Sequence, residues 1–483
     1  MRPHVIIRYI GLVLLFNAIF LFVSSVISAF HSDSAFFPLL YSAIITALFG
    51  VFPLIFVPST TKISNREGFV IVISSWLLSC LVGSIPYILW GGEFTFTNAW
   101  FESVSGFTTT GSTILTDIEA LPRGLLFWRS TTNWIGGMGI IIFVLSVLPF
   151  MGSVRMILYR TEMSSLAMDN FHYSTHRTLK ILAIVYVGLT LLEAISLLFC
   201  GMDLFDSITH SFATIATGGF SPKNLSIAYY KNTSIEIVIM VFMILSGIHF
   251  ALLFGCIFGN FRDIWKSSIV RYYLLALVIG ITLTTLSIHG NQFHSWTESL
   301  RLSAFQIVSL GTSSGFATTD TSIWPSFAQV LMIFFTLQCA CAGSTSGGIK
   351  VDRIVILWKT IRKKIRKIQH PSAVIKVKIN GAIVDDEMIE MSVVFICFYL
   401  GVVLISTLLL TGLGVDALSA FSGSAATMGN VGPAFGTVGS MSNFNHIPDA
   451  GKWILTANML LGRLEIFALI IFFMPSSWRW TGK

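Results

Sequence analysis

The sequence predicts an all-α polytopic membrane protein of four fused helix, re-entrant loop, helix repeats, preceded by two extra N-terminal transmembrane helices. Three observations lead to this fold class. Of the 483 residues, 54% are apolar and only 11% are charged, whereas roughly 25% are charged in an average soluble domain. Apolar stretches of about 20 residues, long enough to cross a bilayer, recur along the chain. A polar motif rich in Thr, Ser and Gly also occurs four times.

The apolar stretches predict ten membrane spans. The first, at about residues 8–30, lacks the cleavage site of a signal peptide and is therefore expected to be retained. It pairs with a second span at residues 35–57. The other predicted spans cover residues 68–90, 122–150, 178–200, 234–258, 272–288, 327–357, 388–413 and 453–473.

The positions of Lys and Arg predict the orientation, because positive residues in short loops remain on the cytoplasmic side. Of the 30 basic residues, 23 lie in alternate connections, at residues 1–8, 58–67, 152–180, 260–271, 350–387 and 475–483. Both termini are therefore predicted to be cytoplasmic. The net charge of +7 is explained by this topology without a nucleic-acid partner. The basic tract at residues 359–378 fits a solvated loop beside anionic lipid, or a docking surface for a cytosolic partner.

The repeated motif lies in the opposite connections. Each copy predicts a short amphipathic helix that leads into a Thr/Ser/Gly cluster. The predicted helices are Thr97–Phe107, Asp203–Ile215, Trp296–Leu310 and Asp416–Ala426. Successive matched glycines are separated by 108, 96 and 117 residues, and this period indicates four copies of one unit. The predicted units are an N-terminal pair at 1–60 and repeats at 61–160, 161–262, 263–372 and 373–483.

Re-entrant loops at membrane depth are tolerated only where protein buries them or where they line water. Four such loops are therefore expected to converge on one aqueous axis and form a pseudo-fourfold pore. Glycine can adopt positive φ, which lets successive carbonyl groups turn toward that axis. Rings of backbone carbonyls can replace the hydration shell of a monovalent cation. Acidic residues, Glu102 and Asp206 among them, outnumber basic ones on or near the predicted outer side.

Four stretches give the chain a specific resemblance to the Trk/Ktr/HKT superfamily of potassium transporters, most of all to the bacterial Trk membrane subunit. They are Ser105–Gly111, His210–Ala216, Cys341–Thr345 and Leu461–Glu465. The two extra N-terminal helices are similar to the pair that marks the Trk branch. The resemblance implies potassium uptake across the bacterial cytoplasmic (inner) membrane by a homodimer. It also implies a cytosolic nucleotide-binding regulatory subunit that senses ATP, ADP or NAD(H).

The resemblance further implies a potassium-binding filter at four loop segments. Glycine at position 111 favours potassium, since plant relatives with serine there tend to prefer sodium. Potassium would be the substrate, and the chain would carry no cofactor and no other metal. The filter residues are Thr109, Thr110, Gly111, Thr217, Gly218, Gly219, Ser313, Ser314, Gly315, Asn430, Val431 and Gly432.

A gate is predicted below the filter. The span at 327–357 is interrupted by six residues, three of them glycines that each cost about 1 kcal/mol in a helix interior. The interruption has two interpretations: a mobile intramembrane loop, or a patch of small residues where helices pack closely. Arg463 lies within the last span and fits either a charge beside the permeation path or a structural salt bridge. Arg129 is expected to have a snorkelling or structural role. The predicted gate residues are Gly343, Ser344, Thr345, Ser346, Gly347, Gly348 and Arg463.

Two other functions remain as alternatives. A proton- or sodium-coupled potassium symporter would share these features, although many secondary transporters use inverted repeats and these four appear parallel. A membrane enzyme is disfavoured because no catalytic set stands out: His210 and Ser211 adjoin on a predicted short helix but lack a third member. The six cysteines lie in apolar runs and are expected to be buried small hydrophobes.

Overall fold

The structure, a computed structural model, describes residues 2–58, 64–147, 175–257, 262–464 and 466–474. Several predicted features lie wholly or partly outside these residues. They are the basic connections at 58–67, 152–180 and 475–483, the repeat boundaries at residues 60 and 160, and Glu465 of the last resembling stretch.

The first half of the chain contains the N-terminal pair and two repeats. The pair packs closely because glycines meet at its crossing: a methyl group on Gly11 would lie 2.7 Å from the carbonyl oxygen of Gly50. Helix α3 begins with a capping box between Ser64 and Glu67. The helices are α1 (Pro3–Phe30), α2 (Phe36–Phe56), α3 (Asn65–Trp90), α4 (Phe96–Phe107), α5 (Arg123–Val147), α6 (Thr175–Phe199), α7 (Leu204–Ile215), α8 (Thr233–Ser246) and α9 (Phe250–Ile257).

The second half contains the other two repeats and one short hairpin of strands β1 (Lys378–Ile379) and β2 (Ala382–Ile383). Its helices are α10 (Arg262–Lys266), α11 (Ser268–Ile288), α12 (Trp296–Gly311), α13 (Ser326–Leu337), α14 (Val351–Gln369), α15 (Asp386–Gly412), α16 (Ala417–Gly429), α17 (Asp449–Arg463) and α18 (Ile466–Phe473). Short 3₁₀ turns cover Ser226–Tyr230 and Gly436–Val438.

Each repeat places one short helix between two other helices. We call these short helices, α4, α7, α12 and α16, the pore helices. Their bounds agree with the four predicted amphipathic helices to within three residues at each end. The pore helices are largely buried, whereas the long helices expose large apolar side chains such as Phe49, Leu191 and Leu408. This distribution fits a membrane protein whose outer surface contacts lipid.

Within the described residues, six helices are long and apolar enough to cross a membrane: α1, α2, α3, α6, α11 and α15. They match the first, second, third, fifth, seventh and ninth predicted spans. The eighth span is broken between α13 and α14, as its glycines predict. The prediction of an uninterrupted sixth span is wrong, because α8 and α9 meet at a bend of 108°.

Candidate functional site

All four pore helices end in the same backbone arrangement, a Schellman motif. In the first repeat, the N–H of Thr110 donates to the Ser105 carbonyl at 2.8 Å and the N–H of Thr109 donates to the Gly106 carbonyl at 2.9 Å. The other three repeats contain the same two bonds. Their N–H donors are Gly218 and Thr217, Ser314 and Ser313, and Val431 and Asn430. The pore helices therefore end with one shared geometry.

Each pore helix is followed within two residues by a left-handed residue, yet none of the four is glycine. The φ values are 51° at Thr109, 55° at Thr217, 57° at Ser313 and 52° at Asn430. The left-handed region costs an L-residue about 1–2 kcal/mol, and for β-branched threonine it is a true outlier. Strain of this kind persists only where surrounding structure enforces it.

The matched glycine follows two residues later and is also left-handed. Its φ is 81° at Gly111, 71° at Gly219, 76° at Gly315 and 93° at Gly432. The intervening residue of each segment does not have positive φ. In an ordinary extended backbone, successive carbonyl groups point to opposite sides. Because positive φ alternates with non-positive φ in these segments, successive carbonyl groups can point to the same side. We call Thr109–Gly111, Thr217–Gly219, Ser313–Gly315 and Asn430–Gly432 the loop segments.

The four loop segments form a closed ring. A methyl group on Gly111 would lie 2.3 Å from the carbonyl oxygen of Gly218 in the next repeat. Methyl groups added to the other three glycines would meet carbonyl oxygens of the next repeat in the same way. The distances would be 2.2 Å from Gly219 to Ser314, 2.1 Å from Gly315 to Val431 and 2.5 Å from Gly432 to Thr110. All twelve predicted filter residues therefore belong to one cyclic assembly, and its four glycines line a single pocket.

Each pore helix also attaches one polar side chain to the exit of its own loop segment. Nine residues before the glycine, the first three repeats carry Glu102, His210 and Gln306. Glu102 accepts from the Thr113 hydroxyl and the Ile114 N–H at 3.0 and 3.1 Å. The remaining attachments join His210 to Ser221 at 3.1 Å, Gln306 to Thr318 at 3.5 Å and Ser422 to the Phe435 N–H at 3.0 Å.

The burial of two acidic residues corrects one expectation, that they belong to an acidic outer surface. Glu102 is fully buried and Asp206 is only 5% exposed, so neither contributes to an open acidic surface. His210 is also buried; its Nδ1 lies 2.7 Å from the Asp206 carbonyl oxygen, which can only accept. Its Nε2 is therefore the acceptor for the Ser221 hydroxyl. His210 thus has the geometry of a structural residue.

Arg129 has a structural partner and does not snorkel. It is 1% exposed, and its Nε donates to Glu102 at 2.8 Å. Its Nη1 donates to the Ser221 carbonyl at 3.2 Å, and the Phe220 ring lies 4.1 Å from the guanidinium carbon. An ion pair within the first repeat thereby also contacts the second.

The predicted gate residues Gly343–Gly348 lie against the ring. The N–H of Gly347 donates to the Ser313 hydroxyl at 3.1 Å, and that hydroxyl lies 2.9 Å from the hydroxyl of Ser346. Thr345 donates to the Ile215 carbonyl, the last residue of the second pore helix, at 3.0 Å. A methyl group on Gly347 would lie 2.6 Å from both the Asn430 side-chain oxygen and the Gly429 carbonyl. The segment therefore contacts residues of the second, third and fourth repeats.

The same segment explains the bend between α8 and α9. The N–H of Phe250 donates to the Gly343 carbonyl at 3.3 Å, and the N–H of Cys341 donates to the Gly247 carbonyl at 3.1 Å. A methyl group on Gly343 would lie 2.3 Å from the His249 ring. The second and third repeats are thus joined where the sixth span bends.

Arg463 reaches the same segment from α17. Its Nη1 donates to the Thr345 carbonyl at 2.5 Å and its Nη2 donates to the Gly136 carbonyl at 3.2 Å. The side chain is 2% exposed. Within the part of the chain that the structure describes, its recorded partners are carbonyls rather than carboxylates, which disfavours the salt-bridge alternative. Residue 465 is outside that part.

Comparisons with known proteins identify the family. The profile of the TrkH family, described as a cation transport protein, matches residues 40–481. The Trk system potassium uptake protein TrkH of Escherichia coli K12 is 38% identical over 422 residues, covering 86% of this chain and 87% of the relative. The Trk system potassium uptake protein TrkH of Vibrio parahaemolyticus is 33% identical, and the match covers 99% of this chain and 100% of the relative.

A solved structure gives the same result. The crystal structure of the potassium transporter TrkH from Vibrio parahaemolyticus superimposes with a TM-score of 0.90 at 31% identity, and covers 99% of this chain and 100% of that one. The predicted resemblance and the all-α membrane fold are confirmed, as is the expectation of a transporter rather than an enzyme. The chain belongs to the TrkH family of cation transport proteins.

Proposed function

We propose that this chain carries potassium into the cell through the ring of loop segments, as the membrane subunit of a Trk system. The closed ring is the observation that carries the proposal. Four pore helices direct their C-terminal ends at it, and each helix end carries roughly half a negative charge. Carbonyl groups held in this field can replace the hydration shell of a monovalent cation without a carboxylate.

The twelve filter residues act through their backbone. Left-handed φ at two positions of each loop segment turns the carbonyls, and contact between neighbouring segments limits how far the ring can contract. A ring that cannot contract coordinates the smaller sodium ion less well than potassium. This is the proposed origin of selectivity, and it assigns no role to the side chains of Thr110 or Val431.

The gate is formed by Gly343–Gly348 and Arg463. The segment is held against the third loop segment by hydrogen bonds to Ser313, and Gly347 lies close to Asn430 of the fourth. The positive charge of Arg463 raises the barrier to cations beside this path. Because α14 begins at Val351 and carries exposed Arg362, Lys364 and Lys367, a force on this helix reaches the gate within a few residues.

The partner that applies this force is a cytosolic nucleotide-binding subunit, docked on a homodimer of this chain in the bacterial inner membrane with both termini cytoplasmic. The partner, the homodimer and the orientation rest on the family resemblance and the charge pattern. The relatives' names place them in a Trk system, which supports an assembly of several components. Proton- or sodium-coupled symport is the alternative, because a ring of this kind suits both mechanisms.

Cation flux in proteoliposomes tests the proposal. Rubidium and sodium uptake are measured with and without imposed proton and sodium gradients. Rubidium flux that follows its own electrochemical gradient and exceeds sodium flux supports a selective channel. Rubidium flux that requires a proton or sodium gradient supports symport through the same ring. Equal rubidium and sodium fluxes would overturn the filter assignment.

A further inference from the structure

The exits of the first and second loop segments are joined by a buried ion pair. Arg129 and Glu102 are 1% and 0% exposed, with Nε and Oε1 at 2.8 Å. On one side, Glu102 accepts from the Thr113 hydroxyl and from the Ile114 N–H, two and three residues after Gly111. On the other side, Arg129 donates to the Ser221 carbonyl, two residues after Gly219.

The Glu102–Arg129 pair differs from the other attachments because its hydrogen bonds reach two repeats. The hydrogen bonds of His210 and Gln306 stay within their own repeats, whereas the guanidinium of Arg129 uses separate nitrogens to donate to Glu102 and to the neighbouring repeat. Its planar fork fixes the angle between these partners, which a lysine ammonium cannot do. Phe220, the residue directly after Gly219, lies beneath its face and adds a second contact to the same loop.

We propose that Glu102 and Arg129 are positioning residues for ion selectivity, which hold the first and second loop segments at a fixed separation. This inference rests on the proposed filter function and adds a determinant outside the ring. Gly111 and Gly218 meet at one of the four joints of the ring. When the pair is lost, this joint is no longer held at a fixed separation while the other three keep their contacts, and the ring can then contract around sodium.

Four variants test the proposal: Glu102→Gln, Arg129→Gln, Arg129→Lys and Thr113→Val. The Thr113→Val variant removes a hydroxyl that donates to Glu102 and accepts from Arg129 Nη2, but it leaves the two charges paired, so it stays informative if the charge variants do not fold. Glu67→Gln is the matched control, because Glu67 pairs with Arg2 at 2.9 Å at the starts of α3 and α1 rather than at a loop segment. Rubidium-to-sodium flux ratios are measured in proteoliposomes, together with the apparent KM and maximal rate for rubidium.

We expect the flux ratio to fall by roughly 2- to 30-fold, the range seen when residues without ligand contact alter coupling. Arg129→Gln and Glu102→Gln give the largest losses. Arg129→Lys gives a smaller one because it retains the charge pair, and Glu67→Gln leaves the ratio unchanged. A purely structural role would lower the amount of folded protein and the maximal rate at an unchanged ratio, and this result would overturn the proposal.

The Gly111→Ser variant separates this inference from the proposed function. If Gly111→Ser lowers the flux ratio and the four variants do not, the filter stands and the positioning role fails. If wild-type protein does not distinguish rubidium from sodium, both fail together.

Discussion

Replacing Gly111 by serine perturbs one joint of the ring in a calculable way. The φ of 81° costs a residue with a side chain about 1–2 kcal/mol. The new Cβ would lie 2.3 Å from the Gly218 carbonyl oxygen, whereas real Cβ contacts stay beyond 3.0 Å. The two groups must therefore separate by at least 0.7 Å, and the Gly218 carbonyl must leave its place in the ring.

Such a shift is large compared with the precision that selectivity requires. A change of about 1.4 kcal/mol in the relative stabilisation of two ions alters their ratio tenfold. Displacing one carbonyl of the ring is expected to cost potassium at least this much relative to sodium. We therefore expect Gly111→Ser to lower the rubidium-to-sodium flux ratio about tenfold.

The assay is competitive rubidium and sodium uptake in proteoliposomes at matched protein density. Gly188→Ser is the control, because Gly188 lies in α6 with no heavy atom within 4 Å of its would-be methyl group. An unchanged flux ratio in folded Gly111→Ser protein would show that the ring does not select the ion. A ratio that fell equally in Gly188→Ser would attribute the effect to general destabilisation.

Three further outcomes are expected. Arg463→Ala removes charge-assisted bonds worth about 1.5–3 kcal/mol, so flux without any regulatory partner should rise about 10- to 100-fold; unchanged flux would remove Arg463 from the gate. Thr345→Val loses one bond to Ile215, worth about 0.5–1.5 kcal/mol, and should give a smaller rise in the same assay. Asp416 caps α16, and hydrogen bonds from the side chain and backbone of Ser419 lower the pKa of its carboxyl. Asp416→Ala should therefore cost about 1 kcal/mol of stability at neutral pH. That difference in unfolding midpoint should shrink as acidification takes the pH down through the lowered pKa, and a constant difference would contradict the cap.

The features that the sequence predicted depend on patterns repeated along the chain. The pore helices, the glycines at positive φ and the broken eighth span all follow from composition and spacing at fixed offsets. The bend between α8 and α9 could not be predicted, since no proline interrupts that apolar run. It arises from hydrogen bonds with the segment after Cys341, more than 90 residues away in the chain.

The left-handed residues before the glycines were also missed, and for a physical reason. Thr109 and Thr217 carry side chains that disfavour positive φ, so propensity argues against the conformation that the Schellman motif and the ring impose. The attachments Glu102, His210 and Gln306 were missed because their chemistry differs between repeats. Their constant offset, nine residues before each glycine, is the signal that could have revealed them.

This contrast follows from a ring built of backbone. Where carbonyl groups coordinate the ion, the repeats must share φ angles rather than side chains, so glycine recurs at the same point of all four loop segments. The supporting side chains need only hold each exit in place, and Glu, His, Gln and Ser can all do so. Fourfold symmetry at the ring is therefore compatible with asymmetric supports. Because a buried charged pair is hydrogen-bonded to the loop exits of the first and second repeats, we expect that joint to be the most sensitive to side-chain substitution.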